Sequence, residues 1–129
     1  MLSVIIATKD RAAYLDRALE SFSKQIDAPP FEVVIVDNGS TDATPQVVDR
    51  AKRQYPFEVT YVFEERPNRA AARNRGIAVA LGGLVVFCDD DVYAPPAFLA
   101  GHAAAHTTSN IVANGPILNV SSYHERPKP

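Results

Sequence analysis

Four short apolar runs punctuate this chain and alternate with segments of helical periodicity. They lie at residues 3–7, 31–36, 58–63 and 84–88. The first two are dominated by β-branched residues, which is typical of strands buried on both faces of a sheet. Alternating strands and helices favour parallel strands joined by helical crossovers. The sequence therefore predicts an α/β fold, an open, mostly parallel twisted sheet with helices on both faces.

Three helices are predicted between these strands. The first follows a cap at Asp10, the second begins at Thr44-Pro45 and runs to about Gln54, and the third follows a cap at Asn68. The first has apolar residues at three- and four-residue steps: Tyr14, Leu15, Ala18, Leu19, Phe22 and Ile26. The second should bury Val47, Val48 and Ala51. We expect the third to cover residues 69–81, to pack through Ile77, Ala80 and Leu81, and to close at Gly82-Gly83.

The chain length fits one domain. Its 129 residues suffice for a single core, and we expect one α/β domain at 1–120 and a loose tail at 121–129. A further helix at 97–106 and a strand within 111–120 would complete that unit. The net charge of -2 gives no reason to expect a nucleic-acid partner. With a single cysteine and no apolar segment long enough for a signal peptide or membrane span, a reducing, cytoplasmic location is expected.

Three consecutive carboxylates, Asp89, Asp90 and Asp91, follow the fourth predicted strand. Adjacent like charges repel and raise one another's pKa, so such a triplet needs water or a cation to neutralise it. Carboxylate oxygens are the ligands that Mg²⁺ and Mn²⁺ prefer. A solvated acidic turn is the common alternative. The preceding strand favours a binding site, because ligands in open α/β sheets bind at the carboxyl ends of strands.

Polar segments follow the other strands at the same edge. Residues 8–11 follow the first strand, residues 37–42 follow the second, and the third helix begins near Arg69. The carboxyl ends of parallel strands share one edge of a sheet, so these segments should converge on the acidic triplet.

Four sequence blocks in this order resemble family 2 glycosyltransferases. They are VIIATKDR at 4–11, VIVDNGSTD at 34–42, NRAAARNRG at 68–76 and FCDDD at 87–91. A lone aspartate pair would be a weak signal, but four blocks at compatible spacing form a specific one. The resemblance implies a nucleotide-diphospho-sugar donor, with a UDP-sugar the expected one, and a Mn²⁺ or Mg²⁺ cofactor.

The resemblance also assigns roles to individual residues. Thr8 would line the base pocket, Asp37 would accept a hydrogen bond from the base, and Arg73 would lie beside the nucleotide. Asp91 and Asp89 would be the metal ligands, with Asp91 favoured for direct ligation. Asp89 or Asp90 would contact the ribose or a metal-bound water.

Structural roles compete with several of these assignments. Thr8 and Asp37 could simply hold turns, and Asp42 is expected to cap a helix. Four-residue spacing places Arg69 and Arg73 on one helix face where phosphate could bind. Arg66 and Arg75 fit a solvated basic face equally well. Cys88 is expected to be a small buried hydrophobe, and His102 and His106 to be exposed.

The family resemblance also implies an inverting transfer to an acceptor hydroxyl, assisted by an acidic base beyond the metal motif. The sequence continues for only 38 residues after Asp91, and Glu125 is a poor candidate for that base. We therefore expect a truncated donor-binding part with its base outside this chain. The resemblance is also compatible with peripheral association of the full-length protein with a membrane. Two alternatives stay open, a non-catalytic nucleotide-sugar-binding module and a phospho-receiver domain. The receiver fits less well because the triplet follows the fourth strand.

Overall fold

The computed structural model describes residues 1–105 and contains one parallel sheet. Its strands are β1 (Leu2–Thr8), β2 (Phe31–Asp37), β3 (Glu58–Phe63) and β4 (Leu84–Asp89). They lie in the order β3-β2-β1-β4, and each neighbouring pair is parallel. The predicted open parallel sheet is confirmed, and the apolar first run occupies an interior position as expected.

A helix follows each strand. The helices are α1 (Ala12–Phe22), α2 (Thr44–Gln54), α3 (Arg69–Val79) and α4 (Phe98–Ala105). Helix α4 begins one residue later than predicted. His106, Glu125, the predicted strand within 111–120 and the predicted tail lie outside the described residues.

The sheet carries hydrophobic clusters on both faces, which confirms helices on both sides. The larger cluster joins β1 to α1, α2 and α4 through residues that include Ile6, Leu19, Val48 and Leu99. The smaller cluster lies under α3 and consists of Ile5, Val34, Val36 and Ala72. Alternate residues of each strand point to opposite faces, so β1 and β2 are buried almost throughout. This layering fixes which side chains reach each side of the sheet's carboxyl edge.

The start of α1 differs from the prediction. Asp10 adopts a φ of 52° and does not cap the helix; its Oδ1 accepts a hydrogen bond from the Thr41 N–H at 2.6 Å. Asp42 takes over the capping, because its Oδ2 accepts from the Ala12 N–H at 3.0 Å. The periodicity also overextended the helix at its other end. Ile26 lies beyond Phe22 and is 59% exposed.

The predicted packing of α3 was wrong for Ile77 and Leu81, whereas Ala80 packs against the smaller cluster as expected. Asn68 caps the helix as expected, with Oδ1 accepting from the Ala71 N–H at 2.7 Å, but the helix ends at Val79. Ile77 and Leu81 are 49% and 79% exposed. The buried face instead consists of Ala71, Ala72 and Gly76. Gly76 lies so close to β1 that a Cβ there would be 2.5 Å from Ile5 Cγ2, so α3 packs through its small residues.

Strand β4 is less buried than its apolar sequence predicts. Only Val86 is buried, and Phe87 is 43% exposed. The reason is position, because β4 pairs with β1 alone and forms an edge of the described sheet.

Candidate functional site

The strand register brings the predicted site residues to one level at the carboxyl edge. Thr8 pairs with Asp37 across β1 and β2, and Ala7 pairs with Asp89 across β1 and β4. The expected convergence of these segments is therefore observed. The next two aspartates, Asp90 and Asp91, turn out of the strand beside the loop that follows β1.

Strand alternation separates the acidic triplet into two groups. Thr8, Asp37 and Asp90 lie on the face that α1 and α2 cover, in line with inward residues such as Ile6 and Ile35. Asp89 follows the opposite alternation with Phe87, on the face that α3 covers. The three consecutive carboxylates therefore do not point into one cluster.

Asp90 is the buried member of the triplet, with 7% of its surface exposed. Its Oδ2 accepts a hydrogen bond from Thr8 Oγ1 at 2.9 Å, and its Oδ1 lies 3.0 Å from Arg11 Nε. Burial raises the pKa of Asp90, while the Thr8 hydroxyl and the Arg11 charge oppose that rise. Thr8, Arg11 and Asp90 thus form a polar cluster that fixes the β1 loop against the end of β4.

Asp91 is more accessible than Asp90 and also faces the Arg11 guanidinium. Its Oδ2 lies 3.3 Å from Arg11 Nη2, and 35% of its side chain is exposed. Asp89 is exposed as well. Within residues 1–105, no three histidine, cysteine, aspartate or glutamate side chains are grouped so that they alone could hold a metal. A cation at Asp91 would thus need oxygens from another source, such as phosphate or water.

Asp37 is almost completely enclosed by donors. Its Oδ1 accepts from the backbone N–H groups of Gly39 at 3.0 Å and Ser40 at 2.8 Å. Its Oδ2 accepts a short hydrogen bond from the Tyr61 hydroxyl. Burial, followed by the hydrogen bond to Asp37, raises the pKa of Tyr61 well above its ordinary value, so this hydroxyl stays protonated. Only 3% of Asp37 is exposed.

Sequence reasoning missed three contributors to this edge. Tyr61 could have been found from the alternation of β3, which places it on the same face as the inward residues of β2. Asn38 donates through Nδ2 to the carbonyl oxygens of Glu64 at 3.0 Å and Arg66 at 2.9 Å, and so fixes the loop before α3. No sequence signal identified that partner. Arg11 was part of a recognised block, but its pairing with the triplet depends on tertiary structure.

Arg66 and Arg73 contact groups other than the acidic triplet. The Arg73 guanidinium lies over the Phe87 ring, 5.2 Å from its centroid, which places it on the α3 face near Asp89. Arg66 pairs instead with Glu64, at 2.5 Å between Nε and Oε1.

Two residues outside the carboxylate groups have structural roles. Cys88 was expected to be buried and is half-buried, and desolvation raises the pKa of its thiol to about 12. His102 was expected to be exposed, but it is half-buried and packs edge-on against Phe98, with 4.7 Å between ring centroids. The reason is its place one turn after Phe98 on α4.

Residues 3–127 match the model of the family described as glycosyl transferase family 2. The chain belongs to this family. A validoxylamine A glucosyltransferase of Streptomyces hygroscopicus subsp. limoneus is 42% identical over 111 residues, which cover 82% of this chain and 24% of that protein.

Solved structures of family relatives share the fold. Staphylococcus aureus TarS in complex with UDP-GlcNAc matches with a TM-score of 0.69 and 35% identity, over 80% of this chain and 30% of that chain. The mannosyltransferase PcManGT of Pyrobaculum calidifontis, in complex with GDP-Man and Mn²⁺, matches with a TM-score of 0.67 and 36% identity. That match covers 73% of this chain and 28% of the mannosyltransferase.

The chain thus spans about a quarter to a third of the length of these relatives. Among residues 1–105, no helix is long and apolar enough to cross a membrane.

Proposed function

We propose that this chain is the donor-binding part of a glycosyltransferase that uses a nucleotide-diphospho-sugar, with a UDP-sugar as the donor. The observation that carries the proposal is the meeting of Thr8, Asp37 and the acidic triplet at one carboxyl edge of the sheet, in a family 2 member. Relatives in complex with UDP-GlcNAc or GDP-Man support a nucleotide-sugar donor. The family assignment also favours this function over a phospho-receiver domain.

The carboxylates fit a divalent cation. Asp91 has an accessible oxygen that already attracts the Arg11 guanidinium, and Asp89 is exposed nearby in sequence. Hard oxygen donors of this kind suit Mn²⁺ or Mg²⁺, which bind through one or two carboxylates together with phosphate oxygens. When bound, such a cation would neutralise charge on the departing nucleotide diphosphate. The PcManGT structure with Mn²⁺ supports this assignment of the cofactor.

Asp37, Thr8 and Arg73 have separate roles in binding the donor. Asp37 accepts a hydrogen bond from the base, and its fixed carboxylate is held for that contact by backbone N–H groups. Thr8 lines this pocket and holds Asp90, and through Asp90 and Arg11 it sets the position of Asp91. Arg73 approaches the nucleotide from the α3 face, beside Asp89.

Binding of UDP in the presence of Mn²⁺ tests the donor site. We expect calorimetry to detect UDP binding that depends on Mn²⁺, and Asp91→Asn to weaken it by at least about tenfold, since one charged ligand contact is worth about 1.5–3 kcal/mol. Asp27→Asn is the matched control, because Asp27 is exposed and precedes β2 at the opposite edge. Equal UDP and Mn²⁺ binding by wild type and Asp91→Asn would refute the metal assignment.

Transfer also requires an acceptor and a catalytic base. We propose direct displacement at the anomeric carbon with inversion, in which a base from outside this chain deprotonates the acceptor hydroxyl. The anomeric configuration of the product, read by NMR, tests this step, and retention would refute it. Nucleotide binding without transfer or donor hydrolysis by the full-length protein would favour the non-catalytic module instead.

A further inference from the structure

The hydrogen bonds around Asp37 restrict what a ligand can donate to it. A carboxylate has roughly four acceptor positions, two on each oxygen. The N–H groups of Gly39 and Ser40 both donate to Oδ1, and the Tyr61 hydroxyl donates to Oδ2. By this count one acceptor position remains, on Oδ2. Asp37 therefore offers a ligand at most a single hydrogen bond.

The Tyr61 contact is built into the sheet. Tyr61 pairs in register with Ile35 of β2, two residues before Asp37, and packs against the larger hydrophobic cluster. The Asp37 main chain is tied to the same strand region, because its carbonyl oxygen accepts from the Glu64 N–H at 2.9 Å. Burial raises the pKa of Tyr61, which keeps its hydroxyl available as the donor to Oδ2. The register of β3 and the packing of the Tyr61 ring hold the hydroxyl beside Oδ2.

We infer that Tyr61 is a specificity-determining residue, which limits the Asp37 carboxylate to one acceptor position and so selects a base with a single imino N–H, uracil or thymine, over guanine. This inference rests on the proposed function, in which Asp37 contacts the donor base. Guanine presents two parallel donors, N1–H and N2–H, and binds a carboxylate well only when both find acceptors. Uracil and thymine present one donor at N3, flanked by carbonyl oxygens. Relatives of this chain have been solved with UDP-GlcNAc and with GDP-Man, so the family fold admits both bases.

Calorimetric binding of nucleoside diphosphates in the presence of Mn²⁺ tests the selection. We expect wild type to bind UDP or dTDP at least about tenfold more tightly than GDP, because one unmatched donor at a buried charge costs roughly that factor or more. The tighter of UDP and dTDP identifies the pyrimidine. UDP methylated at N3 lacks the imino hydrogen, and its affinity should fall by about ten- to a hundredfold. GDP binding as tight as UDP and dTDP, or methylated UDP binding as tight as UDP, would overturn the inference.

Tyr61→Phe isolates the role of the hydroxyl. The substitution frees a second position on Oδ2, so both guanine donors can be accepted there, and the preference for UDP over GDP should narrow about three- to tenfold. A change in the ratio of UDP affinity to GDP affinity separates base selection from a structural role, because a general loss of stability would weaken the binding of both nucleotides alike. An unchanged ratio with UDP still bound would overturn the role of Tyr61.

Tyr55→Phe is the matched control. Tyr55 is also partly buried and stacks on Phe57, but it follows α2 and precedes β3, at the opposite edge of the sheet. It should leave the UDP to GDP ratio unchanged. If wild type binds none of the nucleotides, the proposed function fails and the inference fails with it. Tight binding of all of them without preference overturns the inference alone.

Discussion

Thr8→Val should destabilise the fold by removing one hydrogen bond from a buried carboxylate. Thr8 is 3% exposed and its hydroxyl donates to Asp90 Oδ2 at 2.9 Å. Valine keeps the shape of threonine but cannot donate, so Asp90 loses a partner in a region that water hardly reaches. A hydrogen bond to a charged group contributes about 1.5–3 kcal/mol. Because Arg11 still neutralises the other oxygen, we expect the lower part of that range, about 1.5–2 kcal/mol.

Urea denaturation measures this loss directly. With a slope of about 1–3 kcal/mol per molar urea for a chain of this size, the midpoint should fall by roughly 0.5–2 M at an unchanged slope. Thr8→Ser is the control, since it keeps the hydroxyl and removes only a methyl group, at a cost of about 0.8 kcal/mol.

A double-mutant cycle decides whether the effect passes through Asp90. In an Asp90→Ala background the acceptor is absent, so Thr8→Val should cost much less than in wild type, and the coupling energy should be about 1 kcal/mol or more. A Thr8→Val variant within about 0.3 kcal/mol of wild type, or a coupling energy near zero, would refute the reasoning.

Three further predictions concern other parts of the described fold. Gly76→Ala should lower stability in thermal unfolding by about 1–2 kcal/mol, because its Cβ would lie 2.5 Å from Ile5 Cγ2 and the cost of overpacking exceeds the gain in helix propensity. Gly101→Ala on α4 is the control. Its Cβ meets nothing within 4 Å, so this substitution should be neutral or stabilising. Asp42→Asn should lower the free energy of unfolding at neutral pH, since the Thr44 hydroxyl and backbone N–H groups lower the pKa of Asp42. That contribution is present above the unfolded-state pKa and is lost as the pH falls through the lower folded-state pKa. The stabilities of wild type and variant should therefore converge when unfolding is measured at decreasing pH. Cys88, with its pKa near 12, should react with iodoacetamide at pH 8 far more slowly in the folded than in the urea-unfolded protein, and equal rates would contradict the burial of its thiol.

The sequence predicted the elements well because their signals are local. The bounds of β3 and the start of α3 at Arg69 agree with the prediction, since alternation, proline and an asparagine cap act within a few residues. The errors arose where tertiary packing overrides periodicity. Ile77 and Leu81 fit a helical apolar pattern, but the close approach of α3 to β1 at Gly76 turns those larger residues to the outside.

For the site, too, the sequence predicted the position of the residues but not their tertiary contacts. Its residues could be assembled at one edge from strand order alone, because the carboxyl ends of parallel strands meet there. Their partners could not be predicted. The bond from Thr8 to Asp90 joins positions 82 residues apart, and the bond from Tyr61 to Asp37 joins positions 24 apart, so both depend on register and side-chain direction. Asp10 and Asp42 show the limit most clearly, because the residue predicted to cap α1 contacts the β2 loop and the β2-loop residue caps α1.

The acidic triplet therefore contains two kinds of carboxylate. Asp90 is buried and already paired with Thr8 and Arg11, so its charge is compensated within the fold. Asp91 and Asp89 are accessible, and they lie where a ligand cation or phosphate could reach them. A buried paired carboxylate binds a new cation poorly, because it must first give up its internal partners. We propose that Asp90 positions the loop while its two neighbours bind the ligand, so Asp90→Asn should alter stability more than Mn²⁺ affinity, whereas Asp91→Asn should do the reverse.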